Sequence, residues 1–147
     1  MAEQTTSSIT IAATPAEVMA VIADLEAYPE WTASVKEVEI LTVYEDGERP
    51  AEARFVLDAG AIKDTYTLSY EWEDDDSEVR WTLVEAGLLR ALDGAYTLVD
   101  AGDGTTEVTY QLSVEVGIPM LGLMKRKAEK VIIGTALKEL KKRVEGA

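Results

Sequence analysis

The side chains able to do chemistry in this 147-residue sequence come from a short menu. There is no Cys and no His. Disulfides, thiolate nucleophiles, Cys/His zinc sites and any serine triad with an imidazole base are therefore excluded. Carboxylates, Lys, Arg, Tyr and hydroxyls remain, and a metal could be held only as a hard cation by oxygens. The acidic run "EWEDDDSE" (71–78) lacks the glycine and distant glutamate of an EF-hand loop and reads as a solvated hairpin tip. No metal and no cofactor is expected. No carboxylate pair stands out by its spacing, so the catalytic residues stay unassigned. A general acid would have to be a Tyr, or a carboxyl or ammonium group with a shifted pKa.

The net charge of −14 is unevenly spread. Lys125 to Ala147 hold eight Lys/Arg against three Glu, a balance of +5, and the first 124 residues hold six against 25 acids, a balance of −19. An acidic body of that size is repelled by phosphate backbones, so no nucleic-acid partner is expected. Lys138, Lys141, Lys142 and Arg143 suit the negative end of a helix. Lys125, Arg126, Lys127 and Lys130 oppose that dipole and follow the apolar "GIPMLGLM". Either they form an ordinary wet helix face that pairs with the acidic body, or the corner makes weak contact with an anionic membrane surface.

The elements that position these groups follow from hydrophobic period. "SITIAA" (Ser8 to Ala13) alternates like a first strand. Thr14, Pro15 and Glu17 then supply N-cap, N1 and N3 of a helix whose apolar positions are Val18, Val21, Ile22 and Leu25. That helix stops near Ala27, because Tyr28 precedes Pro29 and is pushed from the α region, leaving a second short helix anchored by Trp31. From Val35 the period changes to 2 for about eighty residues. Turn signals such as "EDGE", "EDDDS" and "DAGDGTT" divide this stretch into six strands, an antiparallel meander with one dry face. The inward positions collect Tyr44, Phe55, Tyr66, Tyr70, Trp72, Trp81, Tyr96 and Tyr110, with Gly94 where a bulky side chain would otherwise point inward. After Pro119 a helical stripe of Met124, Ala128, Val131, Ile132, Thr135, Leu140 and Val144 is long enough to lie across the sheet. No linker or repeat interrupts residues 1–147, so one domain is expected. With no basic, apolar leader in "MAEQTTSS" and no apolar run of about 20 residues, the expected location is the cytoplasm.

This order resembles the START / polyketide cyclase-dehydrase superfamily, which includes the birch-pollen-allergen-like proteins. The resemblance rests on "IAATPAEV" (Ile11 to Val18), "YPEW" (Tyr28 to Trp31), "GAYTL…GDGTTEVTYQL" (Gly94 to Leu112) and the terminal helix. It implies an α+β helix-grip fold: a curved antiparallel sheet of about seven strands around a long C-terminal helix, with two short helices after strand 1. It also implies a cavity for an apolar or amphipathic molecule, whereas the residues by themselves favour a solid core with satisfied tyrosines. A cavity would draw on Trp31, Phe55, Tyr66, Tyr70, Trp72, Trp81, Tyr96, Tyr110, Met124 and Ala128. Arg54, Lys63, Arg90 and Asp93 are nearest to its rim or wall, although alternation points Arg54 and Asp93 outward. The expected function is binding or carriage of a small hydrophobic or amphipathic ligand of lipid, isoprenoid or polyketide type. A polyketide cyclase/dehydratase-type enzyme is the alternative and a protein-interaction module the second alternative; the oligomeric state is left open.

Overall fold

The computed structural model describes residues 5–45, 49–58, 63–73, 75–116 and 122–146, without the side chains of 116 and 122–125. The expected "EDGE" turn and the apolar lead-in 117–121 fall largely outside these residues. The first strand, β1 (Thr5–Ile11), ends before Ala13, whose N–H turns back onto the Ile11 carbonyl at 2.9 Å. Thr14 then caps α1 (Pro15–Ala23). Its hydroxyl accepts from the Glu17 N–H at 3.3 Å while the Glu17 carboxylate accepts from the Thr14 N–H at 3.1 Å, so two orphan amides are satisfied reciprocally. A 3-10 turn (Leu25–Ala27) leads into the four-residue α2 (Tyr28–Trp31).

Tyr28 corrects one expectation. It sits in the α region, at φ −52° and ψ −42°, despite the proline after it. The pre-proline clash is a preference that local bonds can outweigh. Here the Tyr28 hydroxyl donates to the Ile22 carbonyl at 2.5 Å and its own carbonyl accepts from the Thr32 N–H at 2.8 Å. Its ring also meets Trp31 edge-on at 5.0 Å. The proline therefore lies within the first turn of α2.

The meander comprises β2 (Val35–Val43), β3 (Pro50–Asp58), β4 (Lys63–Trp72), β5 (Glu78–Ala86), β6 (Leu89–Asp100) and β7 (Thr106–Val116). With β1 they form one antiparallel sheet in the order β1-β7-β6-β5-β4-β3-β2. Only the α1–α2 segment breaks neighbour succession, carrying the chain from one sheet edge to the other. Bulges in the β2/β3, β4/β5 and β6/β7 pairings accompany the curvature. The tight β5–β6 turn is fixed from a neighbouring strand: the Asp64 carboxylate accepts from the backbone N–H groups of Gly87, Leu88 and Leu89 at 3.1, 2.8 and 2.8 Å. A Cβ at Gly87 would lie 2.9 Å from that carboxylate, so a larger residue there would have to displace it.

The terminal helix α3 (Gly122–Glu145) packs on β1 and β7. Its buried side differs from the expected stripe. Val131 is 55% exposed, while Glu129, Ile133, Leu137 and Leu140 are buried, with Val144 half-buried in continuation. The spacing 129-133-137-140-144 is a regular helical face that begins with an acid. Glu129 is buried because two donors from the sheet meet its carboxylate. The Val114 N–H donates to Glu129 Oε2 at 2.8 Å, and the Thr5 hydroxyl donates to Oε1 at 2.7 Å. At the other end Lys141 Nζ donates to the Thr10 carbonyl at 2.7 Å, and Arg143 pairs with Glu30 at 3.4 Å. Among the described residues no helix is long and apolar enough to cross a membrane.

Candidate ligand cavity

Between the inner face of the sheet, α2 and α3 lies a cavity of about 100 Å³. One enclosed water needs roughly 10–15 Å³ on the same measure, so the void holds several waters or a compact ring system. Phe55, Tyr66, Tyr70 and Trp81 line it from β3, β4 and β5, and Tyr96 and Tyr110 from β6 and β7. Trp31 closes it from α2, and Ile132 and Ala136 face it from α3. Trp31, Ser34, Val35, Ile132 and Ala136 are half-buried and mark its outer end.

Seven of the ten residues that the sequence points to thus meet around one space. Trp72 does not: its ring stacks on Tyr70 at 5.4 Å, its N–H donates to the Pro50 carbonyl at 2.7 Å, and the Arg49 guanidinium lies over it at 5.0 Å. Those contacts hold Trp72 at the sheet margin. Ala128 packs on the core but does not line the cavity, because the buried face of α3 is rotated from the expected stripe. Met124 lies in α3, but its side chain is outside the described residues. Tyr44, expected inward, is 41% exposed at the irregular end of β2, where its hydroxyl donates to the Tyr70 carbonyl. Tyr28, Thr32 and Ser34 also line the cavity; the sequence signal for the last two was only a small polar pair after a helix end.

Nine of the ten aromatic side chains form one connected set. From Trp31 and Tyr28 contacts pass to Phe55, which stacks on Tyr66 at 5.6 Å and meets Tyr70 at 6.3 Å. Tyr70 leads to Trp81 at 5.9 Å, and Trp81 meets Tyr110 edge-on at 5.6 Å. The set closes with Tyr96 against Tyr110 at 4.6 Å. Rings so connected gain from edge-to-face geometry but pack with irregular gaps, which is how an apolar interior comes to hold a void. Gly94 makes room for this: a Cβ there would fall 2.4 Å from the Trp81 indole.

The polar groups give the cavity its character. Tyr28 and Tyr44 spend their hydroxyls on backbone carbonyls. Among the described residues, the hydroxyls of Tyr66, Tyr70, Tyr96 and Tyr110 make no hydrogen bond to the protein, although all four residues are buried. Burial pushes these phenols, and that of Tyr28, well above the ordinary tyrosine value, and neighbouring phenols push most of them further. Asp64 adds to the rise at Tyr66, Asp24 at Tyr28 and Glu139 at Tyr96. They therefore stay protonated at neutral pH, as donors and not as bases. Among the described residues no Lys or Arg lines the space. Among the described residues the fully enclosed polar atoms without a partner are Trp31 Nε1 and Glu139 Oε1, where α2 meets α3; the other Glu139 oxygen accepts from the Ala33 N–H at 3.0 Å.

The charged rim candidates point away. Arg54 pairs with Glu39 on the outer face, Asp93 accepts from the Thr82 hydroxyl at 2.8 Å, Lys63 is exposed beside Asp58, and Arg90 is exposed. At the acidic hairpin tip Arg80 gathers Glu71, Glu73 and Glu78, and Arg49 takes Asp76. Among the described residues no three carboxylates meet as a metal site would require.

A curved antiparallel sheet gripping one long helix around a ring-lined space defines the helix-grip class. The chain belongs to the family described as polyketide cyclase / dehydrase and lipid transport, whose model matches residues 2–145. Among solved structures it is similar to a START superfamily protein from Mycobacterium smegmatis, with a TM-score of 0.90 at 23% identity over 97% of each chain. It is also similar to a protein of Thermus thermophilus, with a TM-score of 0.79 at 24% identity over 98% of each chain. The Zhui aromatase/cyclase from Streptomyces sp. R1128 superposes with a TM-score of 0.76 at 15% identity, over 99% of this chain and 94% of that one. At these identities the likeness speaks for the fold alone. No curated protein sequence matches.

Proposed function

We propose that this protein binds and carries, in the cytoplasm, a small hydrophobic or amphipathic molecule of lipid, isoprenoid or polyketide type in the cavity between sheet and α3. The observation that carries the reading is the void itself: about 100 Å³, walled by rings and aliphatic side chains, with four phenol hydroxyls that no described residue engages. A solid core would have satisfied those hydroxyls with carbonyls. Apolar walls with a few convergent polar groups are the general form of a small-molecule site. Native mass spectrometry of protein purified from its own source tests this directly, since a co-purifying molecule reports its own mass. Quenching of Trp31 and Trp81 on titration gives a second readout. No adduct and no saturable quenching by any compact hydrophobic compound sinks the proposal.

The enzyme reading, a cyclase or dehydratase, is favoured by one observation. Tyr66, Tyr70, Tyr96 and Tyr110 line the cavity with hydroxyls that no described residue engages, and a phenol can donate to a developing oxyanion. Turnover of a poly-β-keto substrate mimic that falls on Tyr→Phe substitution would establish it over simple carriage. The weak membrane contact also remains a proposal, supported by exposed Arg126, Lys127 and Lys130 on α3. Liposome co-sedimentation decides it: equal binding to neutral and anionic vesicles, or none, removes it.

A further inference from the structure

The three acids of α3 all serve the body of the protein. Glu129 accepts from the Thr5 hydroxyl and the Val114 N–H, Glu139 from the Ala33 N–H at 3.0 Å, and Glu145 from the Ala12 N–H at 2.7 Å and from Lys141. What remains on the outward side is cationic. Lys127, Lys130, Lys138 and Lys142 are exposed, and among the described residues none of them meets a carboxylate, whereas Lys141 and Arg143 are committed to Glu145 and Glu30. Two uncharged residues interrupt this set halfway. Val131 is 55% exposed, and beside it Gly134 stands in the helix interior, where glycine is disfavoured, although a Cβ there would meet nothing within 4 Å. Packing among the described residues explains neither.

Along the helix the order is therefore two cations, a shallow apolar notch and two cations. Positions 127, 131, 134, 138 and 142 follow the spacing with which one helix presents a seam to another, over about 22 Å. Charge decides what can cover that seam. A second copy meeting it through its own α3 would set lysine against lysine. A broad anionic surface would also feel the exposed acids of the neighbouring helices, Glu17 on α1 and Glu30 on α2. A partner no wider than a helix meets only the lysines and the notch. We propose that the outward face of α3 docks an acidic helix of a partner protein, with carboxylates against Lys127, Lys130, Lys138 and Lys142 and one aliphatic side chain seated at Gly134 beside Val131. Single exposed pairs of this kind add little, but several together steer and orient a partner. The cavity-lining residues of α3, Ile132 and Ala136, are not part of the seam, so the proposal stands independently of ligand binding.

The test is fluorescence-anisotropy titration of the full chain with three labelled, alanine-based helical peptides. One carries glutamates on either side of a central leucine at the spacing of the seam, one has that leucine replaced by alanine, and one has lysines in place of the glutamates. Co-sedimentation with neutral and with phosphatidylserine-containing vesicles runs alongside. The glutamate–leucine peptide is expected to bind about tenfold or more tightly than the lysine peptide, and to weaken about tenfold as salt rises from about 0.05 to about 0.3 M. Loss of the leucine should cost about fivefold. Lys130→Ala combined with Lys138→Ala should lower the affinity about tenfold, and Gly134→Gln about fivefold by filling the notch. Gly134→Gln should also leave the melting temperature unchanged or raise it, because glutamine is the better helix former and its Cβ meets no neighbour; a glycine kept for the fold alone would lower it. Equal binding of the glutamate and lysine peptides overturns the proposal, as does full affinity in the lysine or Gly134→Gln variants. Failure of the glutamate–leucine peptide to bind overturns it too. If in that case anionic vesicles bind and the lysine substitutions abolish their binding, the face belongs to a lipid surface.

Discussion

One absent methyl group shapes the cavity. At Gly94 a side chain would occupy the plane of the Trp81 indole, so Gly94→Ala forces that ring to move towards the void. The expected cost is about 1–3 kcal/mol, measured by denaturant unfolding, together with a shifted Trp emission maximum; a variant with wild-type stability and spectrum contradicts this packing. The phenols provide a second expectation. Their protons are held more tightly in the folded chain than in the unfolded one, where the value is near 10.0. Stability from these groups is complete below that pH and is lost as pH rises through it, because the unfolded chain then releases protons the folded chain keeps. Unfolding midpoints should hold from pH 8 to about 9.5 and fall steadily above about 10. In the folded protein, absorbance at 295 nm should report suppressed ionisation over the same window. A flat midpoint through about pH 11.5 would show the hydroxyls to be better solvated than their burial implies.

At the scale of elements, two acids hold joints that sequence period alone does not reveal. Asp64 on β4 organises the β5–β6 turn through three amides, and Asp64→Ala leaves them without an acceptor. A loss of about 1–3 kcal/mol is expected, with faster hydrogen exchange at residues 87–89 than elsewhere in the sheet. Glu129→Leu keeps α3 apolar on its buried side but strands the Val114 N–H and the Thr5 hydroxyl, so it should destabilise by about 1–3 kcal/mol despite the gain in hydrophobicity. The strands were legible because one face is dry, and alternation records that directly. The capping box was legible because it is a short-range pattern. Glu129 was not, since an acid on a Lys/Glu-rich helix looks like part of a wet face. Donors from Thr5, more than a hundred residues earlier in the chain, and from Val114 make that position polar and buried at once. The same blindness rotated the expected stripe of α3, placing Val131 inward and leaving Ile133 and Leu137 unmentioned. For the cavity, inward-pointing rings could be read from period 2, but which of them touch empty space depends on bulges and helix rotation. Trp72 and Tyr44 were misplaced for that reason.

Over the whole molecule, charge is segregated as the sequence suggests: an acidic body and a basic final helix. Lys141 and Arg143 attach that helix to Thr10 and Glu30, but the first 124 residues still carry a balance of −19. Screening should relieve this repulsion, so the melting temperature should rise when ionic strength goes from about 0.01 to about 0.15 M, as the Debye length falls from about 30 to about 8 Å. A fall instead would mean that the helix–body attractions outweigh the repulsion. The sheet order has a temporal side as well. The β2 to β7 hairpins close between neighbours, but Thr5 must find Leu112 and Ile11 must find Thr106. At about 5–20 residues per second, the ribosome needs roughly 5–20 seconds to supply those partners. Throughout that interval the leading strand has no ladder to join, and the grip can close only once nearly the entire polypeptide has been made.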